Sequence, residues 1–262
     1  MLGQMIGLGL GLIVLTLALN FLGGISRIAF EIHEQIISMV HLEKSTRWIA
    51  KLVHTSGFDF CGIPEIPEIQ EISENTLGIN FQNPVQIISD PNIIKSLGLM
   101  APGRVKYVSG NILEIQSALP VSVIQNQNKK QKKIPEKNFE INPNSGIEPG
   151  DVLILQNCSQ VKLATVQKVK STSGKQDLLS LTSPIFFTGE ISGVQIGVYR
   201  QKFLYHCQAG LCLKNQMDLK QNNRQVLVSG LTDFAVSQSK NNQESQIDFY
   251  LAEGKTHLSG SI

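Results

Sequence analysis

The chain has 262 residues, 42% hydrophobic and 17% charged, a globular average that excludes a disordered, collagenous or multi-span membrane protein. Net charge is +2, and the tract Lys129 to Lys137, five lysines against Glu136, carries +4, leaving −2 for everything else; a broadly basic nucleic-acid-binding face is therefore excluded. The average hides an asymmetry, because Met1 to Ser26 contains no Asp, Glu, Lys, Arg or His.

Leu2 to Leu22 is nearly continuous Leu, Ile, Val, Met, Phe and Ala broken by Gly, with only Gln4, Thr16 and Asn20 polar. About 20 such residues cross the hydrocarbon core of a bilayer, so residues 1–25 are read as one transmembrane helix. A secretory signal peptide would carry a basic region ahead of a shorter apolar core, and no basic residue precedes Arg27. Gly3, Gly7 and Gly11 recur every four residues on one helical face, the spacing that lets a second helix approach closely in lipid. Gly7, Gly9 and Gly11 do not make a nucleotide fingerprint, which needs a preceding strand and a different third interval.

From Arg27 the pattern turns amphipathic. Ile28, Ile32, Ile36, Met39, Leu42, Ile49 and Val53 fall at helical steps, with Arg27, Glu31, Glu34, Glu43, Lys44 and Lys51 elsewhere. Residues 26–55 thus continue the helix to about His54, roughly 80 Å from its start at about 1.5 Å per residue. Thr55-Ser56-Gly57 supplies the stop. His33-Glu34 opens like a zinc-protease helix, but Ile37 stands where the second metal ligand belongs, so His33 and His41 read as solvated helix residues.

Residues 56–103, including Ile63-Pro64-Glu65-Ile66-Pro67-Glu68, lack sustained periodicity and are expected to form an irregular connecting region. Residues 104–262 are expected to form an antiparallel β domain. A hairpin is expected from Val105–Val108 and Ile112–Ile115 about Ser109-Gly110-Asn111. Further strands are expected at Val152–Leu155, Val161–Val169, Asp177–Thr182, Val194–Tyr205, Gln225–Val228, Phe234–Ser237 and Ile247–Leu251. Strand after strand without intervening helical periods argues an antiparallel sheet, and with the long helix an α+β fold. The Lys/Asn/Gln-rich stretch 126–138 buries no apolar surface and reads as a mobile loop. The sharper alternative is a polyanion contact through Lys129, Lys130, Lys132 and Lys133, although no aromatics are interleaved for base stacking.

Four cysteines, Cys61, Cys158, Cys207 and Cys212, all lie on the charged side of the apolar segment and permit three pairings. Spacing favours a local Cys207–Cys212 loop, which leaves Cys61 with Cys158, both oxidised outside the cytosol. The rival for Cys207, beside His206, is a thiolate nucleophile or a metal site; Cys-x4-Cys lacks the C-x2-C repeats of zinc ribbons. With no nucleophile elbow, phosphate loop or paired-carboxylate motif, no catalytic residue, metal or cofactor is assigned.

Particular residues resemble the PilW-type minor pilins of type IV pili. Leu42-Glu-Lys-Ser-Thr-Arg47-Trp48-Ile-Ala-Lys-Leu52 followed by Ser56-Gly57-Phe58-Asp-Phe-Cys61-Gly62 is similar to that family's Leu-x-Glu-Asn-Gly-Arg-Phe/Trp-Ala segment and its Ala-Gly-Tyr-x-Gly-Cys ending. Gly150-Asp151-Val152-Leu-Ile-Leu-x-Asn-Cys158 resembles its Gly-Asp strand ending in Cys, and Val228-Ser-Gly230-Leu-Thr-Asp233-Phe-Ala-Val236 its Val-x-Gly-Val-x-Asp strand near the C-terminus. The resemblance implies a pilin-like fold and a structural, non-enzymatic role. The helix would enter the bacterial inner membrane once, with the C-terminal domain in the periplasm, and then pack against other major and minor pilins to prime or cap a fibre. It also implies either a basic leader upstream of Met1, cut by a prepilin peptidase, or a divergent, unprocessed anchor, and it sets Gly3 where the family carries a glutamate, which suggests a tip or initiating position. The lysine-rich insertion has no counterpart in the family. A type II secretion pseudopilin is the alternative within this class, and a membrane-tethered periplasmic binding or sensor domain the alternative outside it.

Overall fold

The computed structural model describes residues 2–57, 83–124, 136–143, 145–157, 160–172, 176–185, 194–216, 223–241, 244–253 and 256–261. It opens with helix α1 (Leu2–His54), followed by β1 (Val85–Ile88), α2 (Pro91–Ser96), β2 (Ile112–Val123), β3 (Glu136–Ile141), β4 (Val152–Asn157) and β5 (Gln160–Thr172). Then come β6 (Gln176–Ile185), β7 (Gln195–Cys207), β8 (Gly210–Gln216), β9 (Arg224–Ser229), β10 (Asp233–Asn241), β11 (Glu244–Glu253) and β12 (Thr256–Ser261). The expected α+β layout of one long helix before antiparallel strands is what forms.

α1 runs unbroken through 53 residues. By length and composition it can cross a membrane, and its apolar stretch packs against no other part of the chain among the described residues. Two of its hydroxyls are satisfied within the helix: Thr16 Oγ1 donates to Leu12 O at 2.7 Å and Ser45 Oγ to His41 O at 2.7 Å. Such back-bonding lets a hydroxyl sit in an apolar medium without an orphaned donor. The stop falls where expected. Thr55 Oγ1 donates to Lys51 O, Gly57 takes a φ of +106°, and the chain joins β2, with Gly57 N donating to Gln116 O and Ala118 N to Gly57 O.

Two sheets follow. The larger has nine strands in the order β1-β2-β7-β4-β5-β6-β3, with β8 and β9 branching from β7; the smaller is β10-β11-β12. β7 is the fork. β2 pairs along most of it, from Val123↔Gln195 to Leu113↔Leu204, whereas its other edge is divided between β4 (Leu153↔Val198 to Gln156↔Gln195) and β8 (Gln201↔Gln216 to Cys207↔Gly210). The period of two places alternate residues in different cores. Leu153 and Leu155 of β4 join Phe139, Leu179 and Ile196 in one, while Ile154 between them joins Val161 and Leu163 in another. A third core seats the C-terminal end of α1: Leu42, Ile49 and Leu52 pack with Leu113, Leu204, Leu213, Phe234 and Leu251.

Several expectations are corrected. Val105–Val108 does not pair with Ile112–Ile115. Tyr107 instead makes one bridge to Cys207 and Val108 N donates to His206 O, because Gly110 turns at φ +88° against Phe234 O and Tyr107 Oη closes the turn onto Gly110 O at 2.5 Å. Ile112–Ile115 pairs with β1 and β7. Within the stretch read as irregular the structure places β1 and α2. The start of α2 has a local cause, since Asp90 Oδ1 accepts from Asn92 N at 2.8 Å and Pro91 takes the first helical position. β3 begins at Glu136, inside the stretch read as a loop to 138, and β8 and β12 form where no strand was expected.

Candidate functional site

The amphipathic seam of α1 has two halves. Leu42 (0% exposed), Ile49 (1%) and Leu52 (9%) are buried in the domain, whereas Ile28 (59%), Ile32 (51%), Ile36 (56%) and Met39 (48%) stand open. The division falls within one turn, between Met39 and Leu42, where the helix leaves its own sheets. Arg27–Glu31 at 3.3 Å and Arg47–Glu43 at 2.6 Å are exposed i, i+4 pairs on the polar side, which keep charge away from the seam and add little stability. Removing four half-exposed aliphatic side chains from water is worth about 3–6 kcal/mol.

Gly3, Gly7 and Gly11 all belong to α1. A Cβ placed on Gly11 would meet nothing within 4 Å among the described residues. The surroundings of Gly3 and Gly7 lie outside the described residues.

Cys207 and Cys212 form a disulfide, diagonal across the β7–β8 hairpin. Both are buried with Ile112, Phe203 and Tyr205 and with Ile94 and Leu99 around α2, so the bridge fastens this corner of the sheet. Tyr205 Oη donates to Val105 O at 2.8 Å, and burial pushes its hydroxyl up to about 12, with Arg224 pulling the other way. Lys214 Nζ donates to Leu97 O at the end of α2; burial, then the nearby Arg224, lowers its pKa. Cys61 and Cys158 lie outside the described residues, as do Lys129, Lys130, Lys132 and Lys133.

Two polar sites are built into the sheets. Asp151, 6% exposed, receives Arg200 Nη1 at 2.9 Å on one oxygen and Glu148 N at 2.9 Å on the other, so the Gly150-Asp151 element both closes a turn and pairs β7. Buried Glu114 accepts from Gln116 Nε2 at 2.6 Å and Gln201 Nε2 at 2.5 Å; burial, and then the Glu114 charge, raises the Tyr199 hydroxyl well above the usual range. Arg200 had no local signal in the sequence, because its partner lies 49 residues away, in the turn that leads into the neighbouring strand β4. Among the described residues, no three His, Cys, Asp or Glu side chains converge to hold a metal ion. No family model, curated protein or solved structure matches the chain.

Proposed function

We propose that the protein is a structural minor pilin of a type IV pilus. It would enter the inner membrane through α1, hold its sheets in the periplasm, and then pack its helix among those of other pilins. The observation that carries this reading is the split of the helical seam: an anchor alone needs no ordered apolar face beyond the bilayer, yet Ile28 to Met39 continues one for about three turns before the sheets take over. The Cys207–Cys212 bridge supports an oxidising compartment for the domain. Gly3, at the position of the family's glutamate, supports a place at the tip or in the priming complex, since a subunit with no neighbour above it has less need of a buried acid.

The test is a double substitution, Ile32→Asp and Ile36→Asp, in the native host. Both side chains are exposed, so the melting temperature of the purified protein should stay within about 2 °C, while surface fibres and cross-links to other pilins should be lost. Fibres and cross-links at the wild-type level would overturn the reading. Immunogold label along the whole shaft of wild-type fibres would overturn the tip placement.

A further inference from the structure

The segment from α2 to the start of β2 carries one sign of charge. No Asp or Glu occurs from Pro91 to Leu113, whereas Lys95, Arg104 and Lys106 are all exposed. Met100 (44% exposed) and Val108 (52%) stand open beside them, and Met100, Lys106, Tyr107, Val108 and Gln208 line one open hollow. Basic, aromatic and aliphatic side chains grouped in this way have the chemistry of a membrane interface, where cations meet anionic headgroups and apolar groups enter the boundary with the acyl chains. The nearest acids are engaged or lie elsewhere. Asp90 Oδ1 accepts from Asn92 N at the start of α2, while Asp233 and Glu253 belong to the smaller sheet, where Glu253 faces His41 at 3.6 Å.

The place of this segment in the fold decides what it meets. At the C-terminal end of α1, Gly57 N donates to Gln116 O of β2. From there β2 and β7 run back along the helix to the β7–β8 turn at Gln208-Ala209. Short contacts tie that turn to the other end of the seated part of α1. Ala209 N donates to Arg104 O, Gln208 N to Lys106 O and Gly230 N to Ala209 O, and a Cβ on Gly230 would lie 3.6 Å from Glu253 Oε1, which faces His41. Arg104 to Val108 therefore sit at the end of the domain from which α1 runs on to its apolar half. They lie on the opposite side of the larger sheet from α1, since Val105 and Tyr107 pack with Leu99 and Tyr205, whereas α1 packs on Leu204 and Leu213. The rise of α1 from Arg27 to His41 sets this end roughly 20 Å beyond the first charged residue, and two packed layers of about 10 Å each set the patch roughly 20 Å to one side of the helix axis. Tilting α1 toward that side by about 40°, within the range of transmembrane helices, brings the patch to within about 5 Å of headgroup level. Surface charge acts at that distance, because the Debye length is about 8 Å in physiological salt.

We propose that this patch docks the domain on an anionic lipid surface, the face of the same membrane that α1 crosses. Arg104 and Lys106 would meet the headgroup phosphates, and Met100 and Val108, beside the Tyr107 ring, would enter the boundary with the acyl chains. Docking holds the domain beside the bilayer, and drawing α1 out of lipid must break it. The proposal rests on α1 spanning a membrane and on nothing else in the pilin reading.

The test uses the full chain in vesicles of lipids brominated on the acyl chains. Trp48→Phe removes the only native tryptophan, and one reporter is added at a time, Val108→Trp in the patch or Leu12→Trp in α1. Leu12→Trp emission should be quenched in phosphatidylcholine vesicles with or without phosphatidylglycerol. Val108→Trp emission should be quenched at least twice as strongly when phosphatidylglycerol is present. That excess should vanish in high salt, or with Arg104→Glu and Lys106→Glu together, exposed positions whose reversal leaves the melting temperature unchanged. With Leu12→Trp quenched, a Val108→Trp emission that is unquenched, quenched equally in both lipids, or indifferent to the charge reversal would overturn the docking and leave the span standing. Unquenched Leu12→Trp would refute the span and the docking with it. If the charge reversal abolished cross-links to another protein but left the quenching in place, the patch would belong to a protein neighbour instead.

Discussion

Gly210 closes the β7–β8 hairpin at φ +134°, a region that side-chain-bearing residues almost never enter. A Cβ there would lie 2.2 Å from Val228 O, 3.1 Å from Leu231 N and 3.2 Å from Gly230 N. All three are backbone atoms, so no side chain can swing aside to admit the methyl group. The connection between β9 and β10 must move instead, and it is fastened by Gly230 N to Ala209 O at 3.0 Å and Thr232 N to Ala252 O at 2.8 Å. The unfavourable φ costs about 1–3 kcal/mol, a strained close contact about 1–3 more, and a lost hydrogen bond about 1. Gly210→Ala should therefore destabilise the domain by about 4 kcal/mol and lower Tm by roughly 10 °C. Gly98→Ala is the control, because φ is +67° there but nothing lies within 4 Å of the added carbon, leaving a cost of about 1 kcal/mol. Thermal unfolding followed by far-ultraviolet circular dichroism, with the Cys207–Cys212 bridge kept oxidised, compares the two. Equal losses would refute the steric reasoning.

Arg200→Met should cost about 3 kcal/mol by stranding the buried Asp151 carboxylate, and adding Asp151→Asn should recover part of that; urea unfolding of the single and double variants measures both. Replacing Cys207 and Cys212 by Ser should lower stability by about 2 kcal/mol, the chain-entropy value for so short a loop, while β7 and β8 stay paired, as their amide exchange would report. Because the Tyr205 hydroxyl is raised from 10.0 to about 12, its contribution to stability is complete below about pH 10 and lost as pH rises towards 12. Urea midpoints across that window should fall more steeply in the wild type than in Tyr205→Phe, which should itself cost about 1 kcal/mol at neutral pH for the lost bond to Val105 O.

The helix and most strands were legible because burial imposes a period on the sequence. The run from Ile28 to Val53 keeps helical spacing, and Val161–Val169 and Ile247–Leu251 alternate or cluster as buried strands do. The errors came where local signals had two meanings. Ser109-Gly110-Asn111 is good hairpin chemistry, yet the Tyr107–Gly110 contact curls the preceding residues toward Cys207, a partner that no local rule supplies. β8 was hidden by its own cysteine: a Cys-x4-Cys spacing reads as a loop, whereas the disulfide runs diagonally across a two-residue hairpin turn. α2 was legible but overlooked, since Asp90-Pro91 is an N-cap followed by proline at the first helical position. The open half of the α1 seam followed from the sequence as an apolar stripe, but its division at Met39 depends on where the sheets end, which only the tertiary packing decides.

Since β7 gives one edge to β2 and shares the other between β4 and β8, neither the core around Phe139 nor the core that seats α1 can open without breaking ladders on that single strand. Strand fraying at β3 or β9 stays local, but β7 at Ile196–Val198 and at Phe203 and Leu204, buried and paired on both edges, is where damage spreads in both directions. The amides there belong among the slowest to exchange, released only in the global opening of the domain. A tug on α1 is likewise not confined to the strands it touches: through Leu42, Ile49 and Leu52 it loads Leu204 of β7, and through β7 the whole of the larger sheet resists as one elastic body.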